Sequence, residues 1–134
     1  MTHDARTLRV GIAGREEQRA RMLAIARGEY KPAPDEPKVW FTSLESLGQV
    51  LSARNQALLE LIACAQPGSI TELAHLSGRA KGNLARTLRT MSRYGFVELH
   101  RKERGRVEPR VAYDRLSLEL PLGRGRRGSE PAAA

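Results

Sequence analysis

Residues 69–99 read SITELAHLSGRAKGNLARTLRTMSRYGFVEL, and this stretch decides the fold. Ser69 followed by Glu72 forms a capping box, with the Ser hydroxyl on the Glu72 N–H and the carboxylate reaching back. Ile70, Leu73, Ala74 and Leu76 then supply an apolar stripe. Ser77-Gly78 ends this short helix, because glycine suits a left-handed C-cap. A new helix starts at once, covers about 79–94, and stops at Gly95. At 100° per residue, Ala80, Leu84, Leu88 and Met91 share one side of it. Arg79, Gly82, Arg86, Arg89 and Arg93 lie opposite, flanked by Asn83 and Thr90, and Lys81 alone falls toward the core side.

Downstream, Phe96 to Leu99 reads as a strand. Residues 101–109, RKERGRVEP, form a polar loop with Gly105 at the tip, and residues 110–113 return as a second strand. A hairpin after two short helices is a winged helix-turn-helix arrangement. Leu116, Leu118, Leu120 and Leu122 alternate with parity opposite to Val111 and Tyr113, which requires a bulge or break near Asp114-Arg115.

Upstream, Ser43 is the expected N-cap of a helix over about 44–51, with Ser46 at its third position. Val39, Trp40 and Phe41 cluster just ahead of it. A further helix over 53–65 turns Ala57, Leu58, Leu61, Ile62 and Ala65 to one face, and Pro67-Gly68 breaks it. Residues 7–12 alternate as a strand with Leu8, Val10 and Ile12 on one side. Residues 15–28 favour helix, and the proline-rich 29–38 reads as an extended linker. The expected organisation is a strand-helix arm with its linker at 1–38, a main domain at 39–122, and a disordered basic tail at 123–134. The fold class is α+β and mainly helical. So short an arm cannot bury a core alone, so it docks on the main domain or on a second subunit.

Charge is one-sided. Residues 79–134 hold 14 Lys/Arg against 6 Asp/Glu, whereas residues 1–78 balance at 9 and 9, so the net +8 arises entirely from the C-terminal portion. Such asymmetry marks a nucleic-acid binder. With only six aromatic residues, stacking of single-stranded bases is disfavoured. The exposed face of the 79–94 helix suits a major groove, where Arg pairs with guanine and Asn with adenine. Arg79, Asn83 and Arg86 are the expected base readers, and Arg89 and Arg93 the phosphate contacts. Lys81, Gly82 and Thr90 belong to the same surface. Gly82 on this face either permits close backbone approach to DNA or is a glycine tolerated near a helix start. Arg101, Lys102, Arg104 and Arg106 in the hairpin loop would touch the backbone or the minor groove. Arg124, Arg126 and Arg127 in the tail add sequence-independent attraction.

No apolar run is long enough to span a membrane, no signal-peptide core opens the chain, and a lone Cys64 cannot form an internal disulfide, so the expectation is cytoplasmic. His3, His75 and His100 are scattered, no metal or catalytic spacing occurs, and neither enzyme activity nor a cofactor is expected. His75 belongs at the helix surface. Cys64 reads as a small core filler rather than a redox switch.

The phrases FTSLESLGQVLSARNQALLELI (41–62), SITELAHLSGRAKGNLARTLRTMSRYGFVEL (69–99) and RVAYDRLSLELPL (110–122) resemble the prokaryotic winged helix-turn-helix transcriptional regulators of the broad MarR/ArsR-like group, and a small family within it labelled as DNA-binding proteins or transcriptional regulators. The resemblance spans Trp40 to Leu122. It implies sequence-specific binding of double-stranded DNA and regulation of transcription as a repressor or autoregulator. It also implies, for relatives encoded beside small toxin-like genes, an antitoxin role. A homodimer is expected, because symmetric binders engage two half-sites, with Leu8, Val10 and Ile12 and Leu116, Leu118 and Leu120 in one sheet or interface. The alternatives are an antitoxin-like adaptor that binds a partner protein through the loop and arm, and an RNA binder.

Overall fold

A computed structural model describes residues 6–123. His3 and, beyond Gly123, the expected tail lie outside the described residues. The fold is α+β, with two small sheets and five helices. In chain order the elements are β1 (Thr7–Ile12), α1 (Arg15–Ala26), β2 (Val39–Phe41), α2 (Leu44–Val50), α3 (Ala53–Ala65), α4 (Ile70–Ser77), α5 (Lys81–Arg93), β3 (Val97–Arg101), β4 (Val107–Val111) and β5 (Arg115–Glu119).

Serine caps set the helix starts. Ser43, Ser52 and Ser69 each accept a hydrogen bond from the backbone N–H three residues on, a contribution of about 1 kcal/mol apiece. Ser43 is the N-cap expected, and with Ser46 it also forms a reciprocal capping box. At α4 the geometry differs: the Glu72 carboxylate accepts from the Gly68 N–H (2.8 Å), one residue upstream of the Ser69 N–H that a full box would use. Gly78 closes α4 in the left-handed conformation (φ 74°). Ala80, in extended backbone, then caps α5 without a side-chain bond. The expected helix over 79–94 therefore begins two residues later, with Arg79 in the connecting turn and Ala80 exposed at the cap.

Leu84, Leu88 and Met91 on α5 are fully buried against Leu58, Ile62 and Leu73, each worth roughly 2 kcal/mol by area. The other expected stripes are narrower. Leu76 is half exposed on α4. On α3, Ala57 and Ala65 are exposed, leaving Leu58 and Ile62 as its buried contacts. Cys64 is exposed too, so it is not a core filler. α3 packs through Leu58 and Ile62, with Leu59 and Leu61 partly buried beside them, and borders an open groove on its Ala57 side.

The N-terminal segment is not a separate arm. β1 is the middle strand of a parallel sheet, order β2-β1-β5. Parallel neighbours need a crossover, and α1 supplies it between β1 and β2. The apolar cluster at 39–41 is thus a strand, with Val10 opposite Val39 and Ile12 opposite Phe41. On the other side Leu8 faces Leu116 and Val10 faces Leu118, so these four of the residues expected to share a sheet do so within one chain, while Leu120 lies beyond β5. A boundary at residue 38 cuts through this sheet. Its inner face carries Leu8 and Val10, both buried. Gly11 lies on the outer face beneath the Trp40 ring, where a β-carbon would stand 2.5 Å from Trp40 Cζ3. The 29–38 segment is pinned: Arg21 pairs with Glu36 (2.6 Å), Tyr30 donates to Glu36, and the Lys38 N–H donates to Arg9 C=O.

The hairpin is longer than expected. β4 spans 107–111 rather than 110–113, paired with β3 from Arg101↔Val107 to Val97↔Val111. Pro109 sits inside it because Leu99↔Pro109 is a non-hydrogen-bonded pair, as the flanking bonds from the Ala112 N–H to Phe96 and from the Lys102 N–H to Arg106 require. The expected break falls at residues 112–114, where the chain leaves one sheet for the other. There Arg6 C=O accepts from the Asp114 N–H (2.8 Å), and the Asp114 carboxylate accepts from the Arg6 N–H.

Candidate nucleic-acid interface

With its apolar side sealed in the core, α5 presents Lys81, Gly82, Asn83, Arg86, Arg89 and Arg93 to solvent. Thr90 is half-buried at the edge of that face. Arg86 Nη1 donates to Asn83 Oδ1 at 3.4 Å, which holds the two side chains together one turn apart. Among the described residues, no salt bridge engages Arg86, Arg89 or Arg93. The face is one-signed and uncompensated, unlike an ordinary solvated helix that mixes charges at i±4.

Arg79 stands apart from this face. Its backbone N–H donates to Ser77 Oγ, and its Nη2 donates to the Arg54 carbonyl of α3 at 3.0 Å. Burial first, and then the neighbouring Arg54 charge, lower its pKa from the ordinary arginine value. It remains a cation, engaged in fastening the α4–α5 turn to α3. Sequence reading missed Arg54, whose proximity comes only from the packing of α3 beside that turn.

Arg101, Lys102, Arg104 and Arg106 are all exposed at the hairpin end. Arg104 and Gly105 make the reversal, both left-handed at φ 62° and 71°. Lys102 approaches Glu108 at 3.8 Å, and Glu108 also pairs with Arg110 at 3.6 Å. Arg110, another residue the sequence did not single out, donates to the Pro67 carbonyl at 2.8 Å and so anchors the hairpin to the α3–α4 connection.

Between the hairpin tip and the starts of α4 and α5 lies a cleft of about 550 Å³, lined by Ser69, Thr71, Lys81, Arg104 and Arg106 among others. Lys81, assigned to the core side by helical projection, instead lies exposed at the first position of α5 and opens onto this cleft. Three cations from two elements converge there beside a helix N-terminus, a combination that attracts phosphate. Glu103 at the rim tempers the charge. His75 is exposed on α4, and His100 is exposed and pairs with Glu98 (3.0 Å). No group of three or more metal-ligating side chains occurs among the described residues. Among the same residues, no helix is long and apolar enough to cross a membrane.

The chain belongs to the HVO_A0114 family, whose model matches residues 50–118, just over half of its length. The matched span runs from the end of α2 into β5 and contains α5 and the whole hairpin. No curated protein and no solved structure matches the chain.

Proposed function

We propose that this protein is a winged-helix regulator of transcription that binds double-stranded DNA sequence-specifically, as a repressor or autoregulator. In this reading α4 and α5 are the helix-turn-helix pair, α5 enters the major groove, and the β3–β4 hairpin is the wing. The observation that carries it is the division of α5: Leu84, Leu88 and Met91 fully buried, and Asn83, Arg86, Arg89 and Arg93 exposed opposite them with no acidic partner among the described residues.

The mechanism assigns separate tasks. Asn83 and Arg86 meet base edges, the adenine N6/N7 and guanine O6/N7 groups respectively. Arg89 and Arg93 bind phosphates along the groove wall. Lys81, Arg104 and Arg106 grip a backbone phosphate in the cleft beside the wing, fixing the register in which the bases are read. Arg101 and Lys102 extend this positive border. Arg79 supports the turn from behind.

Fluorescence anisotropy with duplex DNA from the gene's own upstream region, against a scrambled duplex and a folded RNA across a salt series, tests the proposal. Preferential binding to the native duplex that persists at physiological salt is the expected result. Equal and steeply salt-dependent binding to all three would reduce the basic surface to a non-specific electrostatic patch and overturn it.

A further inference from the structure

β5 is an edge strand: in the order β2-β1-β5 it pairs with β1 on one side and with nothing described on the other. Open edges are ordinarily blunted by short length, charged side chains, proline or a bulge. β5 reads Arg115-Leu-Ser-Leu-Glu119, with neither proline nor bulge within it and its two charges at the ends. The Arg115 N–H donates toward β1, to the Arg6 carbonyl. Because a strand's backbone groups alternate in direction, Leu116 and Leu118 turn their N–H and C=O groups to the open side.

Its sequence is complementary to itself. Antiparallel pairing with a second copy about Ser117 sets Leu116 opposite Leu118 of that copy, and Leu118 opposite its Leu116. The outward-turned backbone groups then form the hydrogen-bonded pairs, and Ser117 meets its own equivalent at the non-bonded dyad. In the same register each Arg115 faces a Glu119. A shift by one residue on either strand, to the neighbouring symmetric pairings, sets Arg115 opposite Pro121 or opposite Ser117 and forfeits both charge pairs.

The inner face of the sheet is equally prepared. Leu116 stands beside Leu8 on the core side, and Leu118 is 38% exposed. Next to them, between α3 and β5, runs a groove of about 700 Å³ lined by Leu8, Leu51 and Leu116 together with the polar Gln56, Glu60 and Arg110. Two Leu116–Leu118 pairs would sit side by side over the paired grooves and join the two cores.

We propose that β5 is a homodimer interface, in which two copies pair antiparallel through residues 115–119 and form one continuous six-stranded sheet. The argument rests on this strand and its groove alone, independently of the DNA reading.

Sedimentation velocity of the full chain over a concentration series tests it without DNA. The unaltered protein is expected to sediment as a dimer. Arg115→Glu alone and Glu119→Arg alone each set like charges opposite one another twice, and each is expected to raise the dimer dissociation constant about tenfold or more. An equimolar mixture of the two variants places opposite charges at both positions and is expected to restore the dimer, which also shows that both variants fold. Leu118→Lys, with helicity checked by circular dichroism, is expected to give monomer. A protein that stays monomeric at every concentration, or a dimer indifferent to all three substitutions, would overturn the proposal.

Discussion

The ring of Phe41 stacks on that of Tyr94, with centroids 4.2 Å apart and planes 23° from parallel. Phe41 closes β2, and Tyr94 caps the C-terminus of α5, so one aromatic contact ties the parallel sheet to the basic helix. Phe96 extends the cluster at 6.3 Å. Phe41→Ala is expected to lower stability by about 3–5 kcal/mol, the range for an aromatic removed from a packed core, measured by urea unfolding. A loss below about 1 kcal/mol would mean that the two layers fold independently.

Gly11→Ala inserts a methyl group into the space of the Trp40 ring. The ring must tilt away from the sheet, at a cost of about 1–3 kcal/mol for overpacking. Trp40 is the only tryptophan, so its emission reports the change directly: a red shift is expected as the indole becomes wetter. Unchanged emission together with unchanged stability would show that the sheet yields there without resistance.

Arg104 holds a left-handed backbone that costs an ordinary side chain about 1 kcal/mol and that asparagine tolerates better. Arg104→Asn is therefore expected to stabilise the fold by roughly 0.5 kcal/mol while removing the phosphate contact proposed for Arg104. Binding should weaken about equally on all duplexes, and the salt slope should fall by about one. Thermal unfolding and a salt titration measure the two effects separately. A parallel loss of stability and affinity would mean that Arg104 serves packing instead.

Arg86→Ala and Arg79→Ala are expected to part company. The first should cost about 1–3 kcal/mol of binding and relax preference at one base position. The second removes the bond to the Arg54 carbonyl, and should cost about 1 kcal/mol of stability with base preference intact. Binding-site selection on both variants checks this. A changed base preference in Arg79→Ala would return that residue to the groove.

Most helices were legible in the sequence because their signals are local. The serines at 43 and 69 cap where their spacing says, and the Leu84-Leu88-Met91 stripe is buried in full. What escaped reading depends on distant partners. Val39 to Phe41 is too short to read as a strand until β1 lies beside it. Arg79 looked like part of a helix face because the left-handed turn at Gly78 and the extended Ala80 delay the start of α5. Lys81 and the hairpin tip share a cleft only because β3 and β4 are longer than their polar composition suggested. Cys64 and Ala57 look like core residues on a helical wheel, yet both are exposed, because α3 borders an open groove on the Ala57 side.

The pairing of Thr7 with Arg115 bears on how the protein is made. The helices and the β3–β4 hairpin need only contacts close in sequence, and such contacts form early. β1 is synthesised before the other described elements, yet its partner β5 follows more than a hundred residues later, and closing so long a loop is the entropically costly step. Until then Leu8 and Val10 stay uncovered on one side. We therefore expect the basic helix to be assembled before the sheet shuts, with β5 acting as the latch that closes it.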